Sequence, residues 1–187
     1  MSIEKLILET ERLNLKKSDE RFVDIILDFN IRNKDFLSEF EPKKHSDYYT
    51  VDYHKQIIED EINKIENGNL QKFYIFEKDN DENIIGSVAL SNIVMGGFLS
   101  CFLGYKMDKD KLNRGYMTEA IKRVIRYSFS TIGLHRIEAN IMPRNKRSIR
   151  VVEKLGFINE GLSKRYLNIN GTWEDHIHMV LLNENLE

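Results

Sequence analysis

"DKDKLNRGYMTEAIKRVIRYSF", residues 108–129, sets a polar loop directly against a well-patterned helix. From Tyr116 the apolar residues Met117, Ala120, Ile121, Val124, Ile125, Phe129 and Ile132 recur three and four apart, the spacing of one helical face. Arg114 and Gly115 stand immediately before it. A helix N-terminus presents backbone N–H groups without internal partners and a partial positive dipole. Gly115 has no Cβ to keep a ligand away from the backbone, Thr118 brings a hydroxyl to the first turn, and Arg114 adds a formal charge. These are the parts of an anion cradle, suited to a diphosphate. Many helices also start beside a glycine with no ligand, so the loop's chemistry alone leaves both readings open.

Working outward, "LSCFLGYKM" (99–107) and "HRIEANIM" (135–142) read as the strands on either side of this helix. A strand–helix–strand unit of this kind pairs its two strands in parallel. Before it, "LNLKK" (13–17) reads as a first strand. Helical patterns follow to about Asn30, from Asp35 to Phe40, and from Val51 to Glu66. In the last of these Val51, Ile57, Ile58, Ile62 and Ile65 share a face and Asn67-Gly68 supplies a stop. "FYIFEKDNDENIIGSVALS" (73–91) reads as a hairpin. After the second strand, "RSIRVVEKLG" (147–156) is a short helix with Gly156 as its cap, and a hairpin about Asn170-Gly171 closes the chain. The order predicts an α+β, mixed α/β layer architecture with a largely antiparallel sheet.

The 187 residues, 41% of them hydrophobic, suit one soluble domain over 1–187. "MSIEKLILETERL" lacks the apolar core of a signal peptide, and no apolar run reaches the length of a membrane span. A single cysteine excludes an intrachain disulfide and a Cys-rich zinc site. These features predict a cytoplasmic protein with no membrane partner. The net charge of −2 hides an asymmetry: residues 106–154 carry thirteen Lys/Arg and five Asp/Glu, a surplus of +8, against −10 for the remainder. A polyanion suits the basic window and a cationic partner the rest.

The run "LNRGYMTEA" (112–120) resembles the acyl-CoA loop of the GNAT acetyltransferases, in the form used by the RimJ and RimL ribosomal-protein N-terminal acetyltransferases. "NKRSIRVVEKLGF" (145–157) resembles the same branch's Asn-x-x-Ser-x-x-Val-x-Glu-Lys-x-Gly-Phe. "LETERLNLK" and "YLNINGTWEDHIHMVLL" are similar to its opening strand and closing hairpin. The resemblance spans essentially the whole chain. It implies a GNAT fold whose mostly antiparallel sheet splays at a parallel strand pair, and acetyl-CoA as co-substrate with no metal. The pantetheine would pair with Tyr105, Lys106 and Met107, and the diphosphate would rest on Asn113, Arg114, Gly115, Tyr116, Met117 and Thr118. Asn145 and Ser148 match the family's Asn-x-x-Ser: Asn145 would hold the cofactor, and Ser148 would offer its hydroxyl to the departing sulfur. Both also suit the N-cap of a helix.

The reaction implied is direct attack of a primary amine on the thioester carbonyl, which needs a neutral amine and a proton for the thiolate. No base is assigned. Two family carboxylates are missing, at Phe102 and Leu167. An α-amine, with its pKa near 8, needs little help to deprotonate, which favours the N-terminus of a protein, a ribosomal protein in this branch, as acceptor. A small cationic amine such as a polyamine or aminoglycoside is the alternative acceptor. A non-catalytic acyl-CoA-binding protein, or a nucleic-acid-binding module using "KRVIR" and "RNKRSIR", are the alternatives from other classes. Monomer and homodimer both remain open. Leu37, Phe40 and Pro42 resemble the branch's segment near the substrate entrance. His176 and His178 share a strand face without a third metal ligand nearby, Cys101 reads as core, and Glu138 as a solvated or hydrogen-bonded strand residue.

Overall fold

The computed structural model describes residues 6–186. Residues 1–5 and 187, which include the start of the stretch read for a leader and both ends of the expected domain, lie outside them. The chain begins as a hairpin, β1 (Ile7–Glu9) and β2 (Leu13–Lys17), followed by helices α1 (Val23–Arg32), α2 (Lys34–Ser38) and α3 (Val51–Glu66). A meander follows: β3 (Leu70–Glu77), β4 (Gly86–Val94) and β5 (Ser100–Met107). Then come α4 (Tyr116–Tyr127), β6 (Arg136–Ile141), α5 (Lys146–Glu153), β7 (Ile158–Ile169) and β8 (Thr172–Leu182). The eight strands form one sheet in the order β1-β2-β3-β4-β5-β6-β8-β7. Every neighbouring pair is antiparallel except β5 and β6, which run parallel. This is the mixed α/β GNAT architecture expected.

Alternation along the strands divides the apolar side chains between the two faces of the sheet. On β3, Phe73 and Ile75 enter the core beneath α4 and α5, while Tyr74 and Phe76 enter a second core beneath α1, α2 and α3. Ile121 and Val124 of α4 and Ile58 of α3 are fully buried. Full burial of such side chains contributes about 2 kcal/mol each, so both helical layers are fixed to the strands between them.

The parallel pairing of β5 with β6 is brief. Ser100, Cys101 and Phe102 face Arg136, Ile137 and Glu138, and there it stops. Beyond it β5 stays with β4 as far as Met107 opposite Gly86, and β6 stays with β8 as far as Ile141 opposite Ile177. The sheet therefore opens into a V between residues 103–107 and 139–141. Gly86 secures the far end of β5 by close approach: a Cβ there would lie 2.6 Å from the Lys106 carbonyl oxygen.

Three local readings are corrected. The first strand is preceded by β1, because the stretch before Leu13 turns at Thr10, whose N–H donates to the Leu13 carbonyl at 2.9 Å. Val51 opens α3 in an exposed first turn; the buried face carries His54 and Glu61 beside Ile58, both polar groups being hydrogen-bonded. Phe129 and Ile132 fall after α4, in a π turn over Ser128–Ile132 that ends at Gly133 with φ 81°.

Candidate active site

The loop opening α4 has left-handed backbone at Asn113 (φ 61°) and at Gly115 (φ 80°), which stands at the N-cap. The N–H groups of Tyr116, Met117 and Thr118 begin the helix where no intrahelical carbonyl precedes them. They face a cavity of about 310 Å³ whose walls include Lys111, Arg114, Arg147, Arg150 and Lys154. Five cationic side chains around a helix N-terminus give this cavity the charge that suits a polyanion.

Two carboxylates brace the loop. Glu119 accepts the Thr10 hydroxyl at 2.6 Å and the Arg12 backbone N–H at 2.9 Å, and pairs with the Arg12 guanidinium at 2.6 Å. Burial alone would raise the Glu119 carboxyl; these bonds outweigh it and hold it below its usual range. Arg12 also donates to the Arg114 carbonyl at 3.0 Å and lies over the Tyr116 ring at 4.6 Å. Glu77 accepts from Lys111 at 2.5 Å and from the Tyr116 hydroxyl at 2.7 Å. The bond from Lys111, helped by that from Tyr116, likewise lowers its carboxyl. Sequence reasoning missed Thr10, Arg12 and Glu77. The first two lie within the quoted "LETERLNLK", yet nothing local joins them to residue 119.

Asn145 is the N-cap of α5, its Oδ1 accepting from the Ser148 N–H at 3.2 Å. The capping role is therefore filled by Asn145. Tyr105 reaches across the V and donates from its hydroxyl to the Ser148 carbonyl at 2.9 Å; burial raises this phenol. Tyr105, Met107 and Ser148 line both the basic cavity and a second one of about 270 Å³ on the other side of the V. Leu37, Phe40, Glu41, Lys106, Asn140 and His176 also line the second cavity, whereas Pro42 belongs to a separate depression beside α2. The structure thus brings Tyr105, Met107, Asn145 and Ser148 together at the V, with the loop 113–118 along one side.

The side chain of Lys106 points to the α1 side. Its Nζ donates to Asn30 Oδ1 at 3.1 Å and lies 3.4 Å from Glu41 Oε1. Burial pushes this lysine down to about 8; Glu41 opposes the shift, and Lys72 and Lys44 add to it. The end of β5 is tied to α1 through Asp108, which pairs with Arg32, and through the Lys109 N–H, which donates to Asn33 Oδ1 at 2.9 Å.

Cys101 is buried in the main core, and burial pushes its thiol up to about 12. His176 is buried beside the Glu174 carbonyl, and His178 bonds to Glu138 and Ser163. Among the described residues no group of three or more His, Cys, Asp or Glu side chains is placed to hold a metal ion, and no helix is long and apolar enough to cross a membrane.

Residues 12–158 match the family model described as the acetyltransferase (GNAT) domain. The chain is 41% identical to the probable N-acetyltransferase YjcK of Bacillus subtilis, over 81% of its length and 83% of that protein. It is 36% identical to the [ribosomal protein uS5]-alanine N-acetyltransferase of Escherichia coli, over 94% of its length and 90% of that protein. The ribosomal-protein-S5-alanine acetyltransferase of Vibrio fischeri superposes with a TM-score of 0.92 at 31% identity, covering 97% of this chain and 99% of that one. Mycobacterium smegmatis RimJ in complex with CoA-disulfide superposes at 0.87 with 26% identity, covering 93% and 83%.

Proposed function

The chain belongs to the GNAT acetyltransferase family and is an N-acetyltransferase; from that premise we propose that its acceptor is the α-amine of a protein N-terminus, in the first instance an alanine of a ribosomal protein. The observation that carries this reading is the 36% identity, across nearly the full chain, to an enzyme named for acetylating alanine on ribosomal protein uS5. The same proposal takes residues 1–187 as one catalytic domain acting in the cytoplasm.

Acetyl-CoA is the acyl donor in this reading, and the donor set fits it. The diphosphate would rest on the N–H groups of Asn113, Arg114, Gly115, Tyr116, Met117 and Thr118, where Gly115 supplies the left-handed N-cap at φ 80°. Lys111, Arg147, Arg150 and Lys154 supply cationic partners for the remaining phosphate. The backbone of Tyr105, Lys106 and Met107, left without a strand partner on the V side, pairs with the amide-bearing arm. Asn145 holds the start of α5 in place. Ser148 then stands at the V, where its hydroxyl donates to sulfur as the thioester breaks. Tyr105, bonded to the Ser148 carbonyl, fixes that serine's position. The amine enters through the second cavity, past Phe40 and Glu41.

Calorimetric titration with acetyl-CoA, CoA and ATP tests the cradle. One-site binding of the first two, with ATP much weaker, is expected. No binding near 1 mM ligand would place any affinity weaker than about −4 kcal/mol and sink the reading. Mass spectrometry of Ala-initiated ribosomal peptides incubated with enzyme and acetyl-CoA tests the acceptor. Acetylation of spermidine but of none of the peptides would transfer the assignment to a small cationic amine.

A further inference from the structure

An attacking amine has to lose a proton, and the residues assigned so far supply none of the chemistry for receiving it. The receiving group has to line the cavity through which the amine arrives. Five titratable or charged side chains do: Glu41, Tyr105, Lys106, Arg147 and His176. Burial would raise the Glu41 carboxyl, yet Lys106 and Lys44 hold it below its usual range, which makes it a poor base. Lys106 is turned aside to Asn30 and Glu41. Tyr105 is bonded to the Ser148 carbonyl, and an arginine does not give up its proton. His176 is left.

Strand register sets His176 at the open end of the V. Phe102 and Glu138 are the last partners before β5 and β6 separate. From there the V widens along β6 towards Ile141. β8 runs antiparallel to β6 and pairs His178 with Asn140 and Ile177 with Ile141. His176 therefore stands level with Met142, where the chain leaves β6 for α5, and it lines the cavity with Met142, Asn145 and Ser148. It lies diagonally across from Asn140 on the same face of the sheet, with Cβ atoms about 7 Å apart. Arg144 fixes the rim, bonding to Glu39 at the end of α2 at 2.9 Å and to Glu174 of β8 at 3.1 Å.

The His176 ring is buried and its tautomer is set by its neighbour. Nδ1 lies 3.0 Å from the Glu174 carbonyl oxygen. A carbonyl only accepts, so Nδ1 carries the hydrogen and Nε2 keeps its lone pair. Among the described residues Nε2 has no hydrogen-bond partner. Tyr166 packs against the ring with centroids 5.5 Å apart, and its hydroxyl accepts from Asn140 Nδ2 at 3.3 Å. Asn140 Oδ1 is buried without a partner. Such an acceptor is destabilising until a donor reaches it, and an amine N–H is such a donor. The cavity thus offers an incoming amine an amide oxygen to hold it and an imidazole nitrogen to take its proton.

We propose that His176 is the general base that deprotonates the acceptor amine while Asn140 holds it, a reading that rests on the acetyltransferase assignment above. The amine N–H bond breaks, its proton passes to His176 Nε2 and the electron pair stays on nitrogen. That pair forms the C–N bond to the thioester carbonyl carbon as the C–S bond breaks, and sulfur takes the proton of the Ser148 hydroxyl. The imidazolium returns its proton to Ser148 Oγ across the shared cavity, which restores both residues. Tyr166 is a positioning residue for the ring and for Asn140. The charged and titratable groups that share the cavity with His176 or pack about its ring are Glu41 beyond α2, Tyr105 and Lys106 of β5, Arg147 of α5, Tyr166 of β7, and Glu174 and His178 of its own strand.

The test is the pH profile of kcat/KM for acetylation of an Ala-initiated peptide by wild type and His176→Gln, with acetyl-CoA affinity measured alongside. Wild type should show two inflections, one from the base and one from the α-amine at about 8. In His176→Gln the base's inflection should vanish and kcat should fall about 100-fold, while acetyl-CoA binds within about twofold of wild type. In His176→Gly, added imidazole should restore part of the rate. Asn140→Leu should raise KM for the peptide more than it lowers kcat, and an unchanged KM would remove Asn140 from the amine's site. If the histidine variants fail to fold, nitrogen NMR of the wild-type histidines decides the matter. His176 should be the Nδ1–H tautomer and titrate with the base's inflection; an Nε2–H ring, or a titration apart from that inflection, would overturn the proposal. So would a wild-type profile in His176→Gln, or a lower rate with both inflections kept and no imidazole rescue, which marks a purely structural histidine. Wild type that binds acetyl-CoA and acetylates no amine would overturn the acceptor reading beneath, and the base with it.

Discussion

Lys106 makes the stability of the protein depend on alkaline pH in a way that a single substitution can isolate. Its ammonium is enclosed between Asn30 and Glu41, and burial brings its pKa from 10.5 to about 8. Below about pH 8 the side chain is charged in both the folded and unfolded states, and confinement of that charge destabilises the fold by about 3 kcal/mol. Between about 8 and 10.5 the unfolded chain keeps the proton and the folded chain does not, so stability rises with pH. From about pH 7.5 to 9.5 the rise amounts to about 2 kcal/mol. Above about pH 10 the trend reverses, because burial raises the phenols of Tyr48, Tyr74 and Tyr105 and the unfolded chain ionises first. Glu41, held below its usual range, stays ionised throughout. Urea unfolding of wild type and Lys106→Met at both pH values measures the effect. Wild type should gain about 2 kcal/mol relative to the variant across the window. Parallel curves for the two proteins would show that Lys106 keeps an ordinary pKa and would refute the reasoning.

The other expectations concern the cradle and α5. Gly115→Val forces a β-branched residue into φ 80° and should lose about 2 kcal/mol of stability; calorimetry should find acetyl-CoA affinity lowered at least about tenfold. Glu119→Gln keeps the bonds to Thr10 and to the Arg12 N–H but removes the ionic one, which is partly exposed. About 1 kcal/mol of loop bracing goes with it, and acetyl-CoA should bind about fivefold more weakly. Asn145→Ala should destabilise the protein by about 1 kcal/mol through loss of the cap, with Asn145→Ser restoring most of it. Thermal melts check the cap, and any turnover deficit that persists in the serine variant measures a separate cofactor role. Ser148→Ala should slow acetyl transfer while acetyl-CoA binding changes little, and unchanged turnover would remove Ser148 from the mechanism.

Most of the architecture was legible because it is written in local patterns. The period of α4, the Asn-Gly turn of the last hairpin and the alternation of Ile137, Ala139 and Ile141 on β6 each lie within a dozen residues. The misread places are those where local chemistry is ambiguous. Three residues of β1 are too few for alternation to register. The end of α4 carries Phe129 and Ile132 in helical spacing, although the backbone there has widened to a π turn.

The site divides in the same way, and the division says where its function comes from. The loop 113–118 and the start of α5 are contiguous segments, so their residues could be named from the chain alone. What makes them a site is long-range. Arg12 reaches Glu119 across 107 positions, Tyr116 reaches Glu77 across 39, and Arg32 reaches Asp108 across 76. His178 and Glu138 each looked like ordinary strand residues because their partnership exists only once β8 has paired with β6. A sequence motif of this kind identifies the group that is bound. Which titratable side chains stand together near that group is decided by strand pairing, as when β8 sets His178 against Glu138 of β6.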